Sequence, residues 1–405
     1  MINISGTNII SSLGFTSQEN FENVLAGKSG LRRYENLFGL PESVVASLID
    51  RERLNDEFSA NIPCFENTER LTILEKAAIL SVFIANKEAQ IDLSSKKTIF
   101  ILSTTKGNIE LLGVEAKNFS PLQIYLWHSA KTISQFFGNP NTSLVVSNAC
   151  ISGAAAQIAA LRELENGNFD YAVVVGADFL SKFIISGFQS FKALSQEVCR
   201  PFDSQRNGLN LGEAAATIIM KNAKLTCKVK GKIENDSHIQ LLCGAIRNDA
   251  NHISAPSRVG EGSFRALHAL LDTRYSLLDT EIAFINAHGT ATPYNDAMEM
   301  QAIERAGLQN IPTNSLKAYF GHTLGAAGVL ESIISMYALK NQVVIGIENE
   351  KLTCKAEEKI ENDDCPINIC RKTAATDKNY FIKLLSGFGG VNAALLFFLS
   401  ANYRI

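Results

Sequence analysis

The chain of 405 residues lacks any long run of basic residues, and its formal net charge is only -3. Nucleic-acid-binding proteins usually concentrate lysine and arginine on one face, so the sequence indicates no such partner. Its eight cysteines form neither a CxxC pair nor a repeating pattern, and a chain of this size needs no disulfide framework. The N-terminal residues lack the basic and apolar segments of a secretory signal. We therefore expect a cytoplasmic protein in a reducing compartment.

A continuous membrane-spanning segment is also missing. Residues 132–161 contain no charged side chain and are numerous enough to cross a bilayer. Polar and turn-forming residues interrupt them, among them Asn139, Pro140 and Gly153. This pattern indicates a buried strand that turns into a buried helix, and we expect no membrane span.

Several common motifs of nucleotide-binding and hydrolytic enzymes are absent. Gly27, Lys28 and Ser29 resemble the end of a phosphate-binding loop, but Glu22 stands where that loop requires glycine. The chain has no GxGxxG before a helix, no HExxH and no GxSxG around a serine. The cysteine and histidine spacings match no zinc pattern, so we expect no metal site.

What the sequence does contain is ample apolar material, with 46% hydrophobic residues, enough for a large core in two domain-sized units. The apolar run Leu144–Val146 predicts a fully buried strand, and a turn of small residues follows it. Residues 154–164 predict a helix that stops at Asn166 and Gly167. Residues 171–176 predict the next strand, so the segment is typical of a parallel βαβ unit.

The second half of the chain repeats this pattern. Ile282–Asn286 predicts a strand, residues 322–339 a small-residue turn and helix, and residues 343–346 a short strand. SGAAAQIAALREL and LGAAGVLESIISMYAL share a glycine-alanine opening and an aliphatic face, which indicates an internal duplication. We therefore expect two halves, residues 1–225 and 226–405. The polar stretch 351–378 is predicted to be a surface excursion.

Cys150 lies between the first predicted strand and its helix. A helix start offers free N–H groups and the positive end of the helix dipole, which favour a thiolate. Free cysteines more often serve as small packing residues, so position alone leaves a structural and a catalytic interpretation open.

Two histidines and a glycine loop occupy comparable positions. His288 follows a predicted strand in NAHGTATPYND, and His322 lies among glycines in KAYFGHTLGAAG, with Lys317 five residues before it and Glu331 nine residues after it. A histidine at a strand end is well placed for a site in an α/β sheet, although each could be structural. The GFGG loop at residues 387–390 is either a hairpin turn or a loop whose N–H groups face a reacting carbonyl.

Taken together, these segments resemble the β-ketoacyl synthases, the condensing enzymes of fatty-acid and polyketide assembly that use one cysteine and two histidines. The resemblance spans almost the whole chain and implies a thiolase-like fold, with two duplicated α/β halves in a five-layered αβαβα arrangement. The motifs that carry it occur in the order LAGKSGL, NACISG, RPFDSQRNGLNLGEAAA, NAHGTATPYND, KAYFGHTLGAAGVLES and SGFGGVN.

The resemblance implies that Cys150 is the acyl-carrying nucleophile and that His288 and His322 bind the enolate. Lys317 and Glu331 match a supporting pair around the second histidine, with Lys317 orienting or tuning it. The resemblance also implies that Phe388 gates the site and that its backbone N–H, with that of Cys150, forms an oxyanion hole. Thr290, Thr292 and Gly389 are implied to bind substrate, and Lys192 is implied to bind the carrier protein.

The implied reaction joins an acyl group held on Cys150 to malonyl-acyl-carrier protein with loss of carbon dioxide, giving a β-ketoacyl product. It requires no cofactor. The implied partners are an acyl carrier protein bearing phosphopantetheine thioesters and a second synthase chain, as a homodimer or a heterodimer. The sequence departs from the family pattern at Asn148, Ile151, Asn207 and Val391. These departures leave open whether the pathway is primary fatty-acid synthesis or the synthesis of a specialised polyketide or polyene lipid.

Three other functions are weighed against this one. A non-catalytic partner subunit of the chain-length-factor kind characteristically lacks the nucleophile, whereas Cys150 and both histidines are present here. A degradative thiolase uses a second cysteine near the C-terminus, and no cysteine follows Cys370. A cysteine-histidine hydrolase would need one base histidine rather than two enolate-binding ones.

Overall fold

The computed structural model describes residues 2–62, 68–112, 119–223, 239–272, 279–347 and 365–400. The α-helices in these ranges are α1 Ser17–Leu25, α2 Arg51–Asn61, α3 Ile73–Ala89, α4 Leu126–Phe136, α5 Ser152–Glu165, α6 Lys182–Ser190, α7 Glu261–Leu271, α8 Pro293–Arg305, α9 Lys317–Phe320 and α10 Ala327–Lys340. The strands are β1 Ile2–Ser11, β2 Arg32–Tyr34, β3 Val44–Ser47, β4 Thr98–Ser103, β5 Leu144–Val146, β6 Tyr171–Asp178, β7 Leu211–Gly212, β8 Ala214–Asn222, β9 Ile239–Asn248, β10 Ile282–Asn286, β11 Thr313–Asn314, β12 Val343–Val344, β13 Ala374–Ala375, β14 Tyr380–Gly387 and β15 Val391–Leu399.

Ten of these strands form one sheet in the order β11-β10-β14-β15-β9-β1-β8-β6-β4-β5. The order divides into two five-stranded halves, which meet where Ile2 and Asn3 pair with Leu241 and Gln240. In the first half β4 is parallel to β5 and β6, and β8 and β1 continue antiparallel. In the second half β10 is parallel to β11 and β14, and β15 and β9 continue antiparallel. The two halves share one topology, which confirms the predicted duplication.

The helices form three layers around these two halves. α3 packs on β1, β8 and β6 of the first half, and α7 packs on β9 and β15 of the second half. α5 and α10 lie between the halves: α5 contacts β6, β9 and β15, and α10 contacts β6, β8 and β14. The arrangement is the predicted αβαβα stack, because a sheet that is apolar on both faces must be covered on both.

The two central helices approach each other at a pair of glycines. A Cβ atom added to Gly328 would lie 2.5 Å from the backbone nitrogen of Ala154, and one added to Gly153 would lie 2.8 Å from that of Val329. The Gln157 side chain then donates to the Gly328 carbonyl at 3.0 Å. The glycine-alanine openings of the two repeats are therefore required for this crossing. The first part of α5 is buried, which explains why residues 152–161 lack charge.

Some predicted elements differ from the structure. The strand expected to be fully buried is β5, which lies at the edge of the sheet, and its Leu144 is 37% exposed. The prediction was wrong because an apolar run does not distinguish a central strand from an edge strand, which pairs with a neighbouring strand on one side only. The short strand predicted at 343–346 is β12 and ends at Val344.

Other predictions fall partly or wholly outside the described residues. The boundary between 225 and 226 lies there and stays a prediction. The surface excursion predicted over 351–378 lies there for residues 351–364; in its described part Ile367 and Cys370 are buried and β13 pairs with β12, so that part is not a simple surface excursion. Among the described residues, no helix is both long and apolar enough to span a membrane. The five described cysteines are free, namely Cys150, Cys199, Cys243, Cys365 and Cys370.

The glycine contact predicts how the fold responds to one added methyl group. We expect Gly328→Ala to lower the free energy of unfolding by about 1–3 kcal/mol, because the new Cβ forces α5 and α10 apart. Urea unfolding followed by circular dichroism measures this change. Gly187→Ala is the control, since a Cβ at that helical position meets nothing within 4 Å. Equal urea unfolding midpoints for Gly328→Ala and Gly187→Ala would contradict the interpretation that Gly328 is required for the close approach of α5 and α10.

Candidate active site

Cys150 lies in the turn between β5 and α5. Ala149, the residue before it, has a φ of 46°, in the left-handed region that favours glycine. The Ser152 hydroxyl accepts the Asn148 N–H at 2.8 Å and donates to the Ala149 carbonyl at 2.6 Å. These bonds hold the strained turn, and the Cys150 side chain projects into a cavity at the start of α5.

The structure brings the two predicted histidines to this cysteine. His288 follows β10, and His322 precedes α10. Their ring centroids are 5.0 Å apart and the ring planes nearly perpendicular, at 83°. The Cys150 sulfur and one nitrogen of each imidazole all lie within 4.8 Å of one another. Residues from three separate motifs therefore form one buried cluster.

Both imidazoles are held uncharged. Burial lowers the pKa of His288 and His322 well below the usual range, and the nearby ammonium groups of Lys317 and Lys383 lower both further. Nδ1 of His322 accepts the Leu324 N–H at 3.3 Å, which places the proton of the neutral ring on Nε2. That Nε2 is buried and has no partner among the described residues. It is a donor available to a ligand oxygen.

The predicted Lys317–Glu331 pair lies directly behind the histidines. Both side chains are buried, and the Lys317 ammonium binds the Glu331 carboxylate. Lys317 also donates to the His288 carbonyl oxygen at 3.0 Å. The resemblance implies that Lys317 orients or tunes His322, and Lys317 does lower the pKa of His322. Its hydrogen bond is to the His288 segment, because Lys317 begins α9 three residues after β11, the strand that pairs with β10. Burial raises the pKa of Glu331, but Lys317 and Lys383 lower it more, so its net shift is downward.

The geometry corrects the expectation that Cys150 is a thiolate. Burial raises its pKa to about 12, and Lys317 together with the backbone N–H groups of Cys150 and Phe388 offsets that effect only in part. The helix start favours the anion, but the loss of water disfavours it more. At neutral pH the sulfur carries its proton.

The GFGG loop packs against the same turn. A Cβ on Gly387 would lie 3.1 Å from the Cys150 backbone nitrogen, and the N–H groups of Cys150 and Phe388 both face the sulfur. The Phe388 ring lies against two other aromatic rings, with centroid distances of 6.0 Å to Phe188 and 5.4 Å to Phe191. Two N–H groups thus converge where a thioester oxygen on Cys150 would lie.

A cavity of about 410 Å³ leads from the surface to Cys150. Thr290 and Thr292 line it, with hydroxyl oxygens 2.9 Å apart, and the exposed Lys192 stands among its lining residues. Gly389, predicted with the threonines as a substrate-binding residue, is not among the described lining residues, and its N–H donates to the Ile253 carbonyl at 2.6 Å. The backbone of Gly389 is therefore committed to the neighbouring loop.

Sequence reasoning missed three buried charged side chains of the site. The Glu299 carboxylate accepts the N–H groups of His288 and Gly289, both at 2.7 Å, and burial raises its pKa to about 7. Asp296, one turn earlier on α8, accepts the Phe202 N–H at 2.7 Å, and burial raises its pKa to about 6. Lys383, on β14, is the third buried charged side chain. The available signals were an aspartate that ends the motif NAHGTATPYND, a glutamate three residues after it, and a lysine inside the apolar run YFIKLLSG.

Two family profiles match the chain. Beta-ketoacyl synthase, N-terminal domain, matches residues 1–225, and Beta-ketoacyl synthase, C-terminal domain, matches residues 240–349. Curated relatives include 3-oxoacyl-[acyl-carrier-protein] synthase 2 of Staphylococcus aureus, 25% identical over 97% of this chain and 100% of that protein. The protein of the same description from Vibrio cholerae is 25% identical over 97% of this chain and 98% of its own.

Solved structures share the fold. A β-ketoacyl synthase from Burkholderia phymatum superposes with a TM-score of 0.84 at 24% identity, covering 98% of this chain and 99% of its own. The ishigamide ketosynthase/chain length factor gives a TM-score of 0.84 at 24% identity, covering 99% of both chains. A duplicated αβαβα fold with a cysteine and two histidines at its centre defines a condensing enzyme of the thiolase-like class. The chain belongs to the β-ketoacyl synthase family and is an acyltransferase.

The protonation state of Cys150 is testable without substrate. Because its pKa is raised to about 12, we expect its alkylation by iodoacetamide to rise about tenfold per pH unit from pH 7 to 10, in proportion to the thiolate. Peptide mapping by mass spectrometry measures the Cys150 adduct. Glutathione in the same tube is the control, since an unperturbed thiol approaches its plateau in this range. A plateau for Cys150 below pH 8 would show a preformed thiolate.

Proposed function

We propose that this chain condenses an acyl group held on Cys150 with malonyl-acyl-carrier protein, releasing carbon dioxide and giving β-ketoacyl-acyl-carrier protein. The observation that carries the proposal is the cluster itself: a thiol, two uncharged imidazoles and two converging backbone N–H groups at the end of one cavity. The product serves fatty-acid synthesis or a specialised polyketide or polyene lipid pathway.

The first step loads the enzyme. Cys150 attacks the thioester carbonyl of an acyl carrier, and the N–H groups of Cys150 and Phe388 bind the oxygen of the tetrahedral intermediate. The bond to the phosphopantetheine sulfur breaks, and the leaving sulfur takes up the proton that Cys150 loses. An acyl-enzyme thioester and a free carrier thiol result.

The second step forms the new carbon-carbon bond. Malonyl-carrier loses carbon dioxide, and its thioester oxygen becomes an enolate oxygen that His288 and His322 stabilise as neutral N–H donors. The enolate carbon attacks the acyl thioester, the Cys150–carbonyl bond breaks, and the leaving Cys150 sulfur takes up a proton from water to restore the thiol. Lys317 and Glu331 act behind the imidazoles, Lys317 by holding the His288 carbonyl.

The cavity supports a carrier-borne substrate. Thr290 and Thr292 line it, and their hydroxyl groups, which hydrogen-bond to each other, can bind the amide groups of a phosphopantetheine arm. Lys192 is exposed at the cavity and can pair with an acidic carrier protein. The curated relatives are described as synthases that act with acyl-carrier protein.

A second synthase chain is the other proposed partner. β5 forms one end of the described sheet, and its Leu144 is exposed. The side chains of Tyr125 and Trp127, which precede β5 in the sequence, are also exposed, and their rings stack with centroids 6.3 Å apart. An unpaired edge with apolar neighbours is suited to a homodimer or heterodimer. One structural neighbour is a ketosynthase in complex with its chain length factor. Native mass spectrometry distinguishes a monomer, which would contradict this proposal, from either pair.

The alternative of a non-catalytic partner subunit is disfavoured by the assembled cluster. Such a subunit has no need for Cys150, for two uncharged imidazoles, or for the buried Lys317–Glu331 pair behind them. A buried charge pair is retained where it has a function, because an apolar pair would be no less stable.

The loading step predicts a covalent adduct. Wild-type protein incubated with acyl-carrier thioesters of several lengths should gain the mass of one acyl group, and Cys150→Ala should gain none. Intact-protein mass spectrometry measures both. Cys199→Ala, which removes another buried cysteine, is the matched control and should still be acylated. An adduct on Cys150→Ala, or none on wild type with any chain length, would show that the nucleophile is misassigned.

The condensation step predicts that each histidine contributes separately. Loss of one enolate donor should lower carbon dioxide release from malonyl-carrier about 10²–10³-fold in His288→Ala or His322→Ala, the effect of removing one oxyanion donor. Release of labelled carbon dioxide gives the rate. His268→Ala, on the exposed part of α7, should match wild type. Undiminished release from both active-site variants would contradict the enolate-binding role.

A further inference from the structure

A lysine, Lys383, occupies a strand position where an apolar side chain is expected. β14 is buried along most of its length, and residues on both sides of Lys383 in YFIKLLSG are apolar. The Lys383 side chain is fully buried. Removing an ammonium group from water is strongly unfavourable unless it is fully paired. Packing alone therefore does not account for a lysine at this position.

Four oxygen atoms surround the Lys383 ammonium group. It forms an ion pair with Glu331 Oε2 at 2.7 Å. It also donates to the backbone carbonyl oxygens of Leu384, Ala287 and Asn286 at 2.9, 3.2 and 3.4 Å. An ammonium group has three N–H bonds, so every one is satisfied in this environment.

The carbonyl groups that Lys383 binds lead directly into the active site. Asn286 and Ala287 are the two residues before His288, and the carbonyl of His288 itself is bound by Lys317 at 3.0 Å. Two ammonium groups thus hold three consecutive carbonyls. In addition, Lys383 lies opposite Asn286 in the β10–β14 pairing, four residues before Gly387 of the GFGG loop. It joins the strand that carries the histidine to the strand that carries the oxyanion loop.

The same contacts bring a second positive charge close to the two histidines. Lys317 and Lys383 share one carboxylate, Glu331. Burial lowers the pKa of Lys383 to about 8, although Glu331 opposes this shift, so the ammonium form prevails at neutral pH. Both lysines lower the pKa of His288 and His322.

We propose that Lys383 is a positioning residue of the condensation site, which fixes the β10 end before His288 and adds to burial and Lys317 a second positive charge that disfavours protonation of both imidazoles. This inference rests on the proposed function. Neutrality matters because an imidazolium would transfer a proton to the enolate carbon and give an acetyl-carrier, whereas a neutral ring only donates a hydrogen bond. The ionisable groups that face Lys383 are Glu331 on α10, Lys317 on α9, Glu299 on α8, and the two histidines.

The direct test is a titration of the unliganded protein. With ¹⁵N-labelled histidine, nuclear magnetic resonance should show His288 and His322 uncharged throughout the range in which the fold persists. In Lys383→Met, which removes the charge from a side chain of similar length, both should gain a proton at higher pH than in wild type, because one repelling charge is lost. Lys383→Gln, which keeps an N–H donor without the charge, should titrate like Lys383→Met.

Turnover gives a second readout. In Lys383→Met we expect kcat for condensation to fall about tenfold, the loss of about 1.4 kcal/mol in the transition state, with little change in KM. The ratio of acetyl-carrier to β-ketoacyl-carrier should rise, and rise further as the pH is lowered. Gln157→Met is the matched control. It removes a buried neutral donor to the Gly328 carbonyl and should lower stability without changing either the titration or the product ratio.

The outcomes separate this inference from the proposed function. Wild-type His288 or His322 titrating like a surface histidine would overturn the role of Lys383, even if no lysine variant folds. The role of Lys383 would also be overturned if folded Lys383 variants showed the wild-type titration of both histidines and the wild-type ratio of acetyl-carrier to β-ketoacyl-carrier. A wild-type protein that forms no β-ketoacyl product contradicts the proposed function instead, and the titration, which uses no substrate, still decides the electrostatic role.

Discussion

The close crossing of α5 and α10 is the constraint on which the site depends. Cys150 lies just before the first turn of α5, and His322 lies just before α10, so the separation of sulfur and imidazole is set by how near the helix backbones come. Gly153 and Gly328 permit that approach, with a hypothetical Cβ 2.5 Å from the opposing backbone. Since helices with larger side chains pack 8–10 Å apart, the small residues at this crossing determine the geometry of the reacting atoms.

Burial governs the chemistry around that crossing. Removal of water raises the pKa of Cys150 and lowers that of both histidines, so all three groups are uncharged at neutral pH. The fixed charges lie one layer behind, where Glu331 is held between two lysines. The reacting sulfur and both imidazoles are thus uncharged, while a cluster of buried charges lies directly behind them. This arrangement suits a reaction whose negative charge appears first on an enolate oxygen and then on a thioester oxygen.

The sequence allowed the duplicated fold and the three central residues to be predicted, since short glycine-rich motifs mark where strands end and helices begin. Periodicity could not show that β5 is an edge strand, because the pairing of strands is a property of the whole sheet. The protonation of Cys150 was also mispredicted, since a helix start is visible in sequence but enclosure is not. Glu299 and Lys383 were overlooked because they bind backbone atoms of the histidine segment, and such contacts carry no motif of their own.

The duplication has a consequence for how the reaction is divided. α5 and α10 occupy equivalent positions in the two halves, so the turns before them, one with Cys150 and the other with His322, are counterparts that meet at one site. Each helix directs the positive end of its dipole, about half a charge, toward the shared cavity. The backbones of both repeats therefore contribute to the electrostatic field in the cavity, while the side chains at the two turns have diverged, one to a thiol and the other to an imidazole.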